Sequence, residues 1–353
     1  MAVSEVGHAE AQPVGGFGPS AMTTLLRIVT CANVAVMFGF LANVYLTYWR
    51  DWPGLARLVA QLGLFGREPP KDVLEGDDLT LAWIQALIYL LCLIGPIVYV
   101  YATKSRSLRY DAQILSDIAA FIIRASFWSV LFVGLADMLI SFLRVEDYLQ
   151  QFVGSELTQQ LGRSRFRGPN VHLPLILLAI LVAMFTRTLG FTWLALLVVV
   201  AELQIVVARF IFSYEQAFMG DLVRFWYAAL FLFASAYTLI EEGHVRVDVL
   251  YAGFTSKTKG MINAIGSILL GTTLCWVILA MGMAGKSNLI TSPILSLEVS
   301  QSGFGMYVKY LMAGFLAIFA ISMMIQFASY LLESVADFRG DPGGREKASE
   351  ATH

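Results

Sequence analysis

The stretch from Glu241 to Tyr251, "EEGHVRVDVLY", packs three acids, one Arg and a His into eleven residues directly after a long apolar run. Glu241, Glu242, His244 and Asp248 offer oxygen and nitrogen donors of the kind that surround a metal ion. The four-residue spacing of His244 and Asp248 would set both on one face of a helix. Gly243 argues against a continuous helix there, and a metal centre needs several ligands held on rigid elements. The other reading is a helix exit: the two glutamates leave the lipid, Gly243 caps the helix end, and Arg246 sits at headgroup level. Its guanidinium could there grip a lipid phosphate or a partner's carboxylate bidentately. Val245, Val247 and Val249 alternate with polar residues, which suits a strip lying against another protein.

Four further ionisable residues sit in apolar surroundings, where a charge is costly and needs a reason. Glu202 falls near the middle of an apolar run and is the buried ionisable candidate. It reads either as a coupling-ion or proton carboxylate, or as a carboxyl hydrogen-bonded to a neighbouring helix. Arg209 follows seven residues later, about 10 Å along the same helix face. Arg124 and Asp137 share one run but stand thirteen residues apart, too far to pair along one helix. Lying toward opposite ends of it, both are expected to reach the interface by snorkelling. There is no P-loop, no H-E-x-x-H, no G-x-S-x-G and no intramembrane His pair suited to haem, so no enzyme activity and no cofactor are expected. None of the four histidines lies deep in an apolar run. Cys31, Cys92 and Cys275 are odd in number and dispersed, which fits small apolar core residues rather than a disulfide framework or metal knuckle.

The elements that must carry these residues follow from composition. Of 353 residues, 58% are hydrophobic and 14% charged, against about 45–50% and about 25% in soluble domains. The excess forms runs long enough to cross a hydrocarbon core of about 30 Å, apolar on every face, so the chain is an all-α polytopic membrane protein. Eight spans are predicted: about 22–48, 80–102, 117–143, 171–187, 190–212, 221–241, 260–284 and 304–333. The second should kink at Gly95-Pro96. Residues 171–212 would make a helix of about 60 Å, so they must fold back near "TRTLG". The segments "SYEQAFMGDL" and "SPILSLEVS" read as amphipathic stretches in the headgroup plane. Lys104, Arg106, Arg109, Arg246, Lys257, Lys259, Arg339, Arg345 and Lys347 fall on one side of an eight-span chain, which predicts that side, with both termini, to be cytoplasmic. A net charge of −2 gives no argument for nucleic acid. The polar N-terminus lacks the pattern of a cleaved signal peptide. Paired helix breaks of the kind secondary transporters carry are missing, since Gly95-Pro96 has no counterpart in the other half.

The stretch "SYEQAFMGDLVRFWYAALFLFASAYTLIEEGHVRVDVLY" resembles the small membrane subunit, DctQ-type, of tripartite ATP-independent periplasmic (TRAP) transporters. The likeness rests on Arg209-Phe210-Ile211-Phe212 at a helix end, Asp221-Leu222 at the next helix start, an aromatic-rich helix, and the H-V-R-V-D run from His244 to Asp248. It implies a four-span DctQ-like domain over 191–335, an N-terminal membrane extension over 1–190 that the family does not commonly have, and a disordered cytoplasmic tail over 336–353. It further implies a scaffold for a large membrane subunit (DctM-type) and a dock for a periplasmic solute-binding protein (DctP-type). Such a complex takes up an organic acid on a sodium gradient, across the bacterial cytoplasmic (inner) membrane. His244, Arg246, Asp248, Arg209 and Asp221 would then be signature residues at a subunit or lipid interface. The alternative from the residues alone is a self-sufficient secondary transporter that uses Glu202 as coupling carboxylate.

Overall fold

Every regular element of the computed structural model is helical, among the described residues 21–66, 68–69, 72–187, 191–240, 251, 253–300 and 305–343. Among the described residues, eight helices are long and apolar enough to cross a membrane. They are α1 (Ala21–Trp49), α2 (Gly76–Ala102), α3 (Leu108–Val145), α4 (Ser164–Phe185), α5 (Phe191–Phe212), α6 (Ala217–Ile240), α7 (Ser256–Met283) and α8 (Lys309–Arg339). Helix is the form that lets such runs satisfy their own backbone polar groups where lipid offers none. The expected eight spans are therefore present, and the chain is a multi-pass membrane protein.

The differences lie at the ends. Helix α3 starts at Leu108 and runs for 38 residues, about 57 Å, so its first turns extend beyond the hydrocarbon. Ser107 opens it by accepting a hydrogen bond from the Tyr110 amide at 3.2 Å. Helix α2 runs through Pro96 as one element. Helix α8 continues to Arg339, into the stretch assigned to the tail, and closes at Gly340 in the left-handed region with φ 76°. The "SYEQAFMGDL" segment is no separate surface helix: Phe218 and Leu222 belong to the first turns of α6 and are buried in the core. Their four-residue repeat marked a core-facing stripe, which has the same period as a headgroup-facing one. The "SPILSLEVS" segment forms a short helix, Thr291–Ser296, ended by Leu297 at φ 50°.

The bundle is built around α3 and α8, the two spans most buried in their apolar windows, at 44% and 50%. Helix α8 packs on α3, α7, α6 and α1, while α3 packs on α4 and α6, so residues from both halves of the chain share one core. Both helices bury small side chains, among them Ala112, Ser116 and Ala119 on α3, and Ala328, Ser329 and Ala336 on α8. Without a hydrophobic drive between helices in lipid, such close packing and interhelical hydrogen bonds hold the spans together. Ser329 Oγ donates to the Ala112 carbonyl at 2.7 Å. Start of α1, end of α2, start of α3 and end of α8 meet on one face of the bundle, here the terminus-bearing face. There Arg27 Nε pairs with Asp111 at 2.6 Å and its other nitrogens reach Thr103. Arg109 Nη2 meets Asp337 at 2.8 Å and the Asp341 carbonyl at 2.9 Å, beyond the C-terminal end of α8, where a cation is favoured.

Gly260 in α7 lies against the backbone of α8: a Cβ there would stand 2.6 Å from the Ser334 carbonyl oxygen and 2.8 Å from the Phe338 amide nitrogen. Backbone cannot swing aside as a side chain can. Gly260→Val is expected to separate α7 from α8 and to lower stability by about 1–3 kcal/mol. The check is the thermal unfolding midpoint of the detergent-solubilised protein, against Gly266→Val, where a Cβ would meet open space.

Candidate functional site

On the opposite face, the ends of α3, α4 and the segment leading into α8 enclose a cluster of polar side chains. Asp137, on the last turns of α3, is 0% exposed, and so is Arg167, on the first turns of α4. Arg167 Nη1 donates to Asp137 Oδ1 at 2.7 Å and its Nε to the Leu161 carbonyl at 2.9 Å. His172 Nε2 lies 3.0 Å from the same Oδ1, and His172 Nδ1 lies 2.7 Å from the Tyr310 hydroxyl. A neutral imidazole satisfies both: Nε2–H donates to the carboxylate and Nδ1 accepts from the phenol. Asp137 Oδ2 accepts from the Tyr307 backbone amide at 2.7 Å. The charge of Arg167 balances that of Asp137, and three donors converge on one carboxylate. That is the condition under which a buried ion pair is tolerable.

The expectation that Asp137 snorkels is thus wrong. It points into the bundle, because its partner arrives from the stretch between the expected spans 117–143 and 171–187. Residues 146–170 fold over this face, with a helix Leu149–Leu161 bent at Gly154, so α4 begins early enough to bury Arg167 and His172. The π-helical stretch Gly168–His172 sets the register that brings His172 inward. The Tyr307 ring lies under the Arg167 guanidinium, 4.2 Å from ring centroid to Cζ. Its hydroxyl donates to the Gly162 carbonyl at 2.9 Å and accepts from Arg144 Nη1 at 2.7 Å.

Asp221, at the start of α6, sits beside this cluster. Its Oδ2 accepts from the Met306 amide at 3.0 Å. Two consecutive amides, Met306 and Tyr307, are therefore held by two carboxylates, one from each half of the chain. Tyr214, in the turn between α5 and α6, adds a third tie by donating to Glu146 at 2.7 Å. Burial, then the hydrogen bond and charge of Glu146, push its phenol up to about 12.

The other expected residues lie apart from this cluster. Arg209 is exposed, 3.6 Å from Glu215. Glu202 is exposed on α5 and has no hydrogen bond or ion pair among the described residues. His244, Arg246 and Asp248, with Glu241 and Glu242, lie outside the described residues. Among the described residues no three His, Cys, Asp or Glu side chains come together as metal ligands. Sequence reasoning missed Arg167, His172, Tyr307 and Tyr310. The available signal was charge parity, since an acid inside a span calls for a cation from somewhere else in the chain.

Asp137, Arg167 and His172, at the centre of the cluster, are buried. Its chemistry is to fix helix ends, and it makes the two halves of the chain one body. Removing one member should be severe: Asp137→Ala leaves Arg167 buried without its counter-charge and is expected to cost about 3–5 kcal/mol. The double variant Asp137→Leu/Arg167→Met should be less unstable than either single change. Thermal unfolding of the three purified variants reads the order.

Comparison with known proteins places the second half. Residues 195–330 match the family model described as "Tripartite ATP-independent periplasmic transporters, DctQ component". The match takes in α6, α7 and most of α5 and α8, and stops short of half the chain. No curated protein and no solved structure matches.

Proposed function

With residues 195–330 as a DctQ-type segment, the small membrane component of a TRAP transporter, we propose that this chain scaffolds a DctM-type large membrane subunit and helps dock a DctP-type periplasmic solute-binding protein. The complex takes up an organic acid on a sodium gradient across the bacterial cytoplasmic membrane. The observation that carries the reading is the DctQ match over the very spans whose entry segment is held by Asp221, the acid that the resemblance singles out.

The terminus-bearing face, with Lys104, Arg106, Arg109, Lys257, Lys259 and Arg339, is the cytoplasmic one under the positive-inside rule. The H-V-R-V-D strip then lies in the cytoplasm, where Arg246 meets a carboxylate of the large subunit or a lipid phosphate. The Asp137 and Asp221 cluster faces the periplasmic side. Residues 1–190 enlarge the scaffold and complete its core, since α3 fills the groove between α6 and α8. Transport chemistry belongs to the large subunit. A self-sufficient transporter would need Glu202 enclosed with further ligands, whereas it stands on an exposed helix flank.

Reconstitution tests this. Proteoliposomes holding the chain alone should take up no organic acid, and uptake should appear with the large subunit, the binding protein and a sodium gradient together. Uptake by the chain alone would overturn the scaffold role. Arg246→Ala or Asp248→Ala should reduce co-purification of the large subunit several-fold and leave the apparent substrate affinity unchanged. A chain lacking residues 1–190 should fail to accumulate in the membrane, and transport at the full-length level would refute the part given to that region.

A further inference from the structure

Helices α5 and α2 are the two least buried spans, with 11% and 17% of their apolar windows inside the bundle. Each leans mainly on one neighbour, α5 on α6 and α2 on α1. Their exposed surfaces differ in chemistry. From Leu79 to Ala102, α2 carries no charged residue. Its one amide side chain, Gln85, is fully buried and bonded to Asn43, Thr47 and the Gly54 amide. What α2 shows outward is Trp83, Leu87, Leu90, Leu91 and Val98, a surface suited to acyl chains.

Helix α5 shows Glu202 and Gln204 instead, both exposed, at the middle of a helix of 22 residues. From that depth either helix end is about 15 Å away, beyond the reach of a glutamate side chain. Val199, Leu203 and Val206 around it are exposed too, and the middle of a spanning helix of this length falls at hydrocarbon depth. An acidic side chain at the centre of a span costs about 2.5–3.5 kcal/mol on insertion scales, and lipid tails carry no donor to offset it. Arg209 continues the same flank two turns on, exposed and only 3.6 Å from Glu215 in a loose pair. The chain thus satisfies its other deep acid, Asp137, three times over and leaves Glu202 without a partner among the described residues.

We propose that the α5 flank bearing Glu202 is the intramembrane seat of the large subunit, which supplies a hydrogen-bond donor or cation to Glu202 at mid-depth, while the α2 surface faces lipid. This rests on the scaffold reading above and adds to it the contact surface and the chemistry of the partner helix. An acid on an uncovered face calls for protein carrying the complementary group, and α2 shows what the same chain presents when lipid is the neighbour.

The test uses the full chain co-expressed with its large membrane subunit, with a photo-activatable benzoylphenylalanine placed at Leu203 or, separately, at Leu91. Irradiation in membranes should join the Leu203 position to the large subunit and leave the Leu91 position without a protein adduct. Glu202→Leu should lower the recovered large subunit at least fivefold, and Glu202→Gln, which keeps an acceptor, should hold most of it. Equal elution profiles of the chain alone would show that both variants fold. If the complex forms yet the Leu203 position yields no adduct, or joins a second copy of this chain, the seat is wrong and the scaffold reading stands. Wild-type recovery with Glu202→Leu likewise overturns the seat. If the unaltered chain recovers no large subunit, the scaffold reading falls and this inference with it.

Discussion

A carboxylate placed inside a helix bundle must be given donors, and Asp137 is given three: the Arg167 guanidinium, the His172 imidazole and the Tyr307 amide. They come from two distant stretches of chain. Arg167 and His172 begin α4, and Tyr307 leads into α8. Satisfying one acid therefore fixes where α3 ends, where α4 starts and how α8 enters the bundle. Such an ion pair contributes little net stability relative to apolar packing, yet breaking it leaves a stranded charge. Its effect is to admit one arrangement of these helix ends and to penalise others.

The same logic repeats at the other face. Arg27 with Asp111, and Arg109 with Asp337, tie α1 to α3 and α3 to α8. Between the two faces, small residues let α3 and α8 approach, and Ser329 bonds the Ala112 carbonyl. The four N-terminal spans are consequently no appendage to the DctQ-type spans. One of them, α3, lies in the common core. The bundle's own helices are pinned at both faces by these ion pairs.

Much of the architecture was legible in the sequence, because long apolar runs admit only helices in lipid. The division of residues 171–212 between two spans followed from length alone. Helix ends were less legible: polar first turns such as Leu108 to Asp117 are cut off by hydropathy, although the helix continues through them. The buried cluster was illegible for a different reason. Asp137 and Arg167 are thirty residues apart and Tyr307 lies far beyond, and nothing local to any of them names its partners. Asp221 was identified by likeness, and its physical role, holding the Met306 amide, came only from the structure. Glu202 was read as buried because it lies in an apolar run. A sequence gives depth along a helix far better than it gives the direction a side chain faces.

Asp137 holds the entry to α8 through the Tyr307 amide. Hydrogen exchange of the peptide spanning Gly305 to Val308 measures this most directly, in the full chain in detergent. The Tyr307 amide is expected to be protected as long as the core amides of α3 and α8. This protection should be the first lost when Asp137 is changed. Exchange at the rate of an open loop in the unaltered protein would contradict it.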